Sequence, residues 1–394
     1  MNSPAPRIAV VGAGIGGLAC AGGLRIHGFA VTVFERDTAP RARRQGGMLD
    51  LHVPTGQAAL RTLGLFERFL ASARPEAQEM RAVDPVTAEL LHHELPGVGE
   101  RSAPEIDRGR LRELLLDSLE PGTVQWGRPV ERVTPRVDAT PRLHFADGTT
   151  EDFDLVVGAD GAWSRIRPAV SAVTPAYLGN SVIECSVTDL DRHPALATLV
   201  GSGTLMATAG ATMLSAQRAD DGRLSVYAGL ADVPVDWHVD AGVDLDDPAA
   251  VREHLLGSFD GWHDSLRDLI RHSTDFVNRP LYVLPVGHSW DHVPGVTLLG
   301  DAAHLMPPYG VGANLALLDG TDLAAALATH PDLDRAVRAY EHTAIPRATA
   351  AAKACTDITA DLASGGAHHV DASRAHLNEQ LLHAGERASA ATGG

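Results

Sequence analysis

Three glycines and three acidic residues carry the chemistry that this chain announces. Gly12, Gly14 and Gly17 sit in "VVGAGIGGL", directly after the apolar run "RIAVV". Gly12 permits a tight turn, Gly14 lets a pyrophosphate approach the backbone, and Gly17 lets helix and strand pack closely. The phosphates then meet the free N–H groups and positive dipole of a helix N-terminus. Glu35 follows at the end of the next apolar run, "AVTVFER", where a carboxylate accepts hydrogen bonds from ribose hydroxyls. This constellation reads as a dinucleotide site but does not say which dinucleotide.

Two downstream motifs narrow the choice. "GADGAWSRIR" at 158–167 and "GVTLLGDAAHLMPP" at 295–308 each join an apolar strand to an Asp beside Gly, namely Asp160 and Asp301. Ligands of open α/β sheets bind at the carboxyl ends of strands. Asp301 is placed to bond a ribityl hydroxyl. "GVGAN" at 310–314 opens a helix whose amides suit the electron-rich edge of a reduced flavin.

The elements needed to hold these residues can be read around them. "RIAVV", a helix ending at Gly28, and "AVTVFER" form a βαβ unit that opens a parallel sheet. Helices are expected over 56–71 and 108–119, the second capped by Asp107. A hairpin should turn at Asp84-Pro85, and 123–157 should be strand-rich. From 176 to 232 the pattern becomes an antiparallel sheet. Helices follow at 248–258, 262–272 and from 312, and the tail beyond 332 is helical with a break at 364–366. The predicted fold is α/β: a Rossmann-like nucleotide unit with an inserted antiparallel substrate sheet and a helical C-terminus. Its expected boundaries are 1–72, 102–175 and 273–345 for the nucleotide unit. Residues 73–101 and 176–272 form the substrate unit, and 346–394 the C-terminal segment.

Composition excludes several other roles. The chain has 394 residues, 33 basic against 50 acidic, and a formal net charge of −17, with no basic stripe for a nucleic acid. Its three cysteines, Cys20, Cys185 and Cys355, are widely spaced, which argues against a disulfide scaffold or zinc site and fits the cytoplasm. Residues 8–24 are uncharged but glycine-rich, so they read as strand, turn and helix rather than a membrane segment. The pairs His92-His93 and His368-His369 lack a converging third ligand and read as exposed surface, so no metal is expected. His304 reads as a loop-positioning residue, and Cys185 as a thiol without a basic neighbour in sequence.

The order GxGxxG, DG, GD resembles that of the class A FAD-dependent aromatic hydroxylases, which share the para-hydroxybenzoate hydroxylase fold. More narrowly, "FERD", "GGMLDLH", "PEIDRGRLRELLLDSLE" and "GDAAHLMPPYGVGAN" are similar to the tetracycline-inactivating flavin monooxygenases. The resemblance implies that Gly12, Gly14, Gly17, Glu35 and Arg36 hold the adenosine diphosphate of FAD. It implies flavin contacts for Gly47, Asp50, Arg108, Asp160, Asp301, Gly312, Ala313 and Asn314, and links Arg43 and Asp160 to the reduced nicotinamide. In the cycle it implies, NADPH or NADH reduces FAD, molecular oxygen forms a flavin C4a-hydroperoxide, and an electron-rich carbon is hydroxylated. Arg108 is the candidate catalytic residue, polarising the flavin region. Two departures stand out. "PPYGVGAN" is one residue tighter than in the tetracycline enzymes. Their substrate-contacting Arg, His and Gln positions are here Thr204, Ser225 and the neighbourhood of Cys185 and Glu184.

The expected pocket is lined by the sheet from about 177 to 230, by "YVLP" at 282–285 and by Pro307 to Gly310. Cys185, Thr204, Met206, Met213, Ser225, Tyr227, Tyr282, Pro307 and Tyr309 are its candidate substrate contacts. A flat aromatic or polycyclic small molecule is the expected partner, with no nucleic acid or membrane, and the protein itself a monomer or weak dimer. Rival readings are a flavin reductase or halogenase of the same fold, although the WxWxIP signature of halogenases is missing. Another is a protein that retains FAD to sequester a ligand without turnover.

Overall fold

The computed structural model describes residues 5–43, 46–136 and 140–363. The expected break at 364–366 and the pair His368-His369 lie outside these residues. In chain order the elements are β1 (Ile8–Val11), α1 (Ile15–Ile26), β2 (Val31–Phe34), β3 (Met48–Asp50), α2 (Gly56–Thr62), α3 (Phe66–Leu70), β4 (Met80–Val83), β5 (Leu90–Glu94), β6 (Glu105–Asp107) and α4 (Arg108–Leu116). Then come β7 (Val124–Gln125), β8 (Val130–Thr134), β9 (Arg142–Phe145), β10 (Thr150–Asp152), β11 (Leu155–Gly158), β12 (Ala176–Val187), α5 (Pro194–Val200), β13 (Thr204–Ala209), β14 (Thr212–Arg218) and β15 (Leu224–Leu230). The chain closes with α6 (Trp237–Asp240), α7 (Pro248–Ser258), α8 (Asp264–Arg271), β16 (Thr274–Val283), β17 (Val296–Leu298), α9 (Asp301–His304), α10 (Gly312–Thr329) and α11 (Leu333–Ala363).

The opening βαβ unit forms as its pattern requires. β1 and β2 pair in parallel within the sheet order β17-β11-β1-β2-β7. All neighbours in that sheet are parallel, so the carboxyl ends of β1, β11 and β17 lie along one edge. The three nucleotide motifs follow these three strands. Gly28 takes a φ of +81° after α1, and its N–H bonds the Arg25 carbonyl at 2.9 Å, which ends the helix as expected. Leu18, Leu24, Leu60, Leu111, Leu317 and Leu323 bury the helices against this sheet in one apolar cluster.

The second sheet has seven strands in the order β16-β12-β15-β14-β13-β4-β5. It departs from the expected organisation in two places. β4 and β13 run parallel, so the sheet is not antiparallel throughout. The expected nucleotide-unit span 273–345 opens with β16, which instead pairs along β12 as an edge of the large sheet. Its covered face packs Val226, Ala228, Leu214 and Leu205 against α5, α7 and α8 through Leu255, Phe259 and Leu266.

The helix expected over 56–71 is two helices, because Gly64 turns the chain with φ +68° and sends its N–H to the Arg61 carbonyl. Asp107 caps α4 by accepting from Arg110 N at 2.9 Å, and the helix stops at Leu116. The turn at Asp84 forms as expected, with its Oδ1 accepting from Val86 N and Thr87 N at 2.9 and 2.8 Å. His92 and His93 lie on the edge strand β5 rather than on a helix or loop.

Candidate active site

The first β–α turn is built by close backbone approach. A Cβ at position 12 would fall 2.8 Å from the Ala159 carbonyl carbon, at a φ of +107° that only glycine adopts readily. A Cβ at position 17 would collide with the Gly12 carbonyl oxygen and lie 3.2 Å from Ala159 Cβ. Position 14 differs, since a Cβ there meets nothing within 4 Å. Gly12 and Gly17 are thus demanded by the protein's own packing, while Gly14 leaves open space before the α1 N-terminus.

Two buried groups complete this turn, Glu35 and one residue absent from the sequence reading, Arg112. Glu35 is buried and holds the loop itself, accepting from Ala13 N at 2.7 Å and Asp37 N at 3.0 Å. Arg112, one helical turn beyond Arg108 on α4, donates from Nε to the Ala13 carbonyl at 2.8 Å and from Nη1 to that of Pro40. Its Nη2 is buried with no partner among the described residues. Burial pulls the Arg112 guanidinium below its usual range, opposed by Glu35 and Asp37. A buried cation with an unused donor beside an open helix N-terminus suits a phosphate. Arg36 is exposed at the end of β2, and Arg43 is paired with Asp37 at 2.8 Å.

The DG and GD loops are tied together by another unanticipated residue, Arg167. Its buried guanidinium donates to the carbonyls of Ala302 (2.7 Å), Ala162 (2.7 Å) and Asp301 (3.2 Å). Asp160 accepts from Arg165 N at 2.6 Å through Oδ2, while its Oδ1 is buried without a partner. Burial pushes the Asp160 carboxyl above its ordinary range. Asp301 begins α9 with an exposed side chain, and its Oδ1 lies 3.8 Å from the position of a Cβ on Gly312. Behind it, His304 Nε2 meets Asp319 at 2.7 Å, and Arg347 bridges Asp319 and Asp322 at 2.9 and 2.7 Å.

Asn314 is turned inward. Its Oδ1 accepts from His52 N, Gly56 N and Thr55 Oγ1, and its Nδ2 donates to the Asp50 and Gly310 carbonyls. The amide therefore locks the α10 N-terminus to the strand carrying Asp50, leaving only backbone groups of Gly312, Ala313 and Asn314 to face a ligand. Asp50 Oδ2 also meets His52 Nε2 at 3.1 Å.

The open face of the large sheet carries a polar array in cross-strand register. One row is Glu184, Tyr227, Ser215 and Met206, and the next is Ser225, Gln217 and Thr204. Met213 continues the same face beside Gly229. Thr204, Met206, Met213, Ser225 and Tyr227 thus share one face of the sheet. Cys185 is not, because strand alternation places it on the covered face, 2 % exposed among Val187 and Val226. Burial raises its thiol to about 12. Glu184, Ser215 and Gln217 replace it on the open face, which is more polar than the apolar pocket expected. Alternation counted from Tyr227 would have found them. Tyr282 stacks edge-on against Trp163 of the DG loop at 4.8 Å. Pro307 is buried, and Tyr309 turns toward α11, where Thr359 Oγ1 donates to its hydroxyl at 3.3 Å.

The two halves meet at Gly46 and Gly47. A Cβ on Gly47 would lie 3.2 Å from Tyr227 Oη, and one on Gly46 would lie 2.5 Å from Glu184 Oε1. Arg108, exposed at the start of α4, is held there by its N–H to the Gly47 carbonyl at 3.1 Å. Burial and the Glu184 carboxylate raise the Tyr227 phenol to about 12, so it stays a neutral hydroxyl. Gln217 Nε2 donates to Glu105 on β6, joining the large sheet to the antiparallel β3–β6 pair.

The FAD binding domain family model matches residues 6–204 and 290–355. The chain is 33 % identical over 411 residues to the monooxygenase asqM of Emericella nidulans, covering 87 % of this chain and 92 % of the relative. It is 34 % identical over 355 residues to the 3-amino-4-hydroxybenzoate 2-monooxygenase of Streptomyces cremeus, covering 86 % and 84 %. The crystal structure of tetracycline destructase Tet(51) superposes with a TM-score of 0.71 at 23 % identity, over 97 % of this chain and 98 % of that one, a likeness of fold. The chain belongs to the FAD binding domain family and is an FAD-dependent monooxygenase of the aromatic-hydroxylase type.

Proposed function

We propose that the protein uses NADPH or NADH and molecular oxygen to hydroxylate a flat aromatic or polycyclic small molecule held against the open face of the large sheet. The observation that carries this reading is the meeting of that face with the flavin-side loop at Gly46 and Gly47, next to Arg108 and Tyr227. Bound FAD supplies the redox chemistry, taking electrons from the nicotinamide and activating oxygen.

The residues fit that group. Arg112 Nη2 and the free amides at the α1 N-terminus receive the pyrophosphate in the space before Gly14. Glu35 braces the turn and presents the adenosine end, with Arg36 exposed beside it. Asp301 and Asp160 serve the sugar-alcohol chain, Arg167 fixing their loops relative to each other. The positive end of α10 favours negative charge on the isoalloxazine edge, and Arg108 adds a cation on the substrate side. Gly47 lets the chain pass close to Tyr227, and Asp50 borders the ring. Arg43, balanced by Asp37, serves the nicotinamide phosphate. Met206, Met213 and Tyr227 cover the substrate and keep water from the reacting carbon.

The test is NAD(P)H oxidation by FAD-loaded protein with 4-hydroxybenzoate, 2-naphthol or tetracycline, in air and under nitrogen, with product masses recorded. A ligand-stimulated rate in air and a product heavier by one oxygen are expected. Stimulation that persists under nitrogen, with a reduced product, would mean a reductase. FAD retention with no stimulation by any ligand would mean a sequestering protein.

A further inference from the structure

Glu184 presents a carboxylate on the open face from β12, the strand next to the β16 edge. It stands opposite Tyr227 on β15 and beside the flavin-side glycines. Its Oε2 accepts from Arg279 Nε at 3.1 Å. Arg279 lies on the edge strand with its side chain 58 % exposed, whereas that of Glu184 is only 25 % exposed. The cation is therefore at the rim and the anion inside. Glu184 Oε1 has no hydrogen-bond donor among the described residues and points at the Gly46 backbone. Tyr227, Ser215 and Ser225 can donate or accept, but a carboxylate can only accept. A half-buried acceptor with one oxygen unused is satisfied by a donor on whatever fills the site, and it repels an anion placed there.

We infer that Glu184 is a specificity-determining residue whose Oε1 accepts a hydrogen bond from a ring N–H or O–H of the substrate. This rests on the proposed placement of substrate between the large sheet and the flavin. It selects phenols, enols, lactams and related ring donors over aromatic compounds that direct a carboxylate to this position. The same contact orients the ring, because the donor is fixed by Glu184 while the flat body lies along Met206 and Tyr227.

The test titrates FAD-loaded protein with two matched pairs and reads the flavin absorbance change. The pairs are 2-naphthol with 2-methoxynaphthalene, and 2-quinolone with N-methyl-2-quinolone. In the wild type, the capped member of each pair binds roughly tenfold to hundredfold more weakly, as for loss of a hydrogen bond to a charged acceptor. In Glu184→Leu the two members bind within about twofold of each other. Glu184→Gln, which keeps a carbonyl acceptor, falls between. Equal binding of capped and uncapped members in the wild type overturns the inference without any variant. So does an unchanged ratio in Glu184→Leu, or the lack of any flavin response to all four compounds. Product mass separates this from the wider reading. Discrimination without an oxygenated product leaves the Glu184 contact standing and removes the monooxygenation of these rings. Equal oxygenation of capped and uncapped members does the reverse.

Discussion

Gly14 and Gly17 differ by three positions, and alanine at each has a different expected cost. At Gly17 the new Cβ meets the Gly12 carbonyl oxygen, a backbone atom. That atom cannot yield easily, because Gly12 is itself pressed against Ala159 with φ +107°. Overpacking costs about 1–3 kcal/mol in ordinary cores, and a backbone collision belongs at or beyond the upper end, about 3 kcal/mol. An unfolding entropy of about 2.1 cal/mol/K per residue makes each kcal/mol worth about 1 °C in a cooperative chain of this size. Gly17→Ala should therefore lower the Tm of the FAD-free protein by about 3–4 °C. Gly14 has φ −77° and ψ −179°, open to any residue, with nothing within 4 Å of the added carbon. Its alanine variant should keep the Tm of the FAD-free protein within about 1 °C, since loss of chain entropy in the unfolded state offsets the weaker cap. The same methyl would occupy the space before the helix N-terminus and weaken FAD binding at least about tenfold, roughly 1.4 kcal/mol. Differential scanning fluorimetry of FAD-free protein and flavin fluorescence titration separate the two effects. Equal destabilisation by both variants, or unchanged FAD affinity in Gly14→Ala, would refute the claim that the gap at Gly14 belongs to the cofactor.

Three further outcomes follow from the site. Arg112→Met, which removes the unpartnered buried donor of the side chain that bonds the Ala13 carbonyl, should lower FAD affinity about tenfold to hundredfold in the same titration; an unchanged affinity would remove Arg112 from the phosphate site. Asn314→Ala strips partners from His52 N, Gly56 N and two carbonyls, and should cost about 3–5 kcal/mol, read as a Tm drop of about 4–6 °C. His304 is buried, which alone would lower its pKa, but Asp319 and Asp301 outweigh this and raise it above 6.5. Its stabilising charge is complete below that value and is lost as pH rises through the elevated one. Asp319, depressed against its burial by His304 and Arg347, contributes above 3.8 and fails only as pH falls through its lowered value. His304→Gln should thus flatten the decline in Tm as pH rises above 6.5, and an unchanged slope would show that His304 is uncharged.

Much of the nucleotide site was legible because backbone constraints dominate it. Gly12 and Gly17 are required by contacts within a few residues of the first turn or with the β11 end, and a strand-turn-helix pattern announces such contacts. Asp160 and Asp301 were legible for the same reason, each standing at the end of an apolar strand. Arg112 and Arg167 were not, since their partners are carbonyls in distant loops and an arginine's sequence neighbours do not reveal them. Asn314 was read as part of the flavin-edge helix, but its side-chain role was not legible, because that amide satisfies backbone groups brought close only by tertiary folding. On the large sheet, the strands were found but the phase was lost at β12, where both Glu184 and Cys185 were open choices. Period-2 alternation fixes that phase once Tyr227 is known to face outward, and it assigns the open face to Glu184. β16 was misplaced because its pairing with β12 is a long-range register with bulges, invisible to local pattern.

We propose that this chain is an oxygen-inserting flavoenzyme with its substrate on the open sheet face. The most direct measurement supplies FAD-loaded protein with NADPH and 2-naphthol under ¹⁸O₂ and follows the product by mass spectrometry. An NADPH-dependent product carrying one ¹⁸O atom is expected, with a yield that falls in Glu184→Leu. NADPH consumption that yields only hydrogen peroxide, or a product whose added oxygen comes from water, would contradict it.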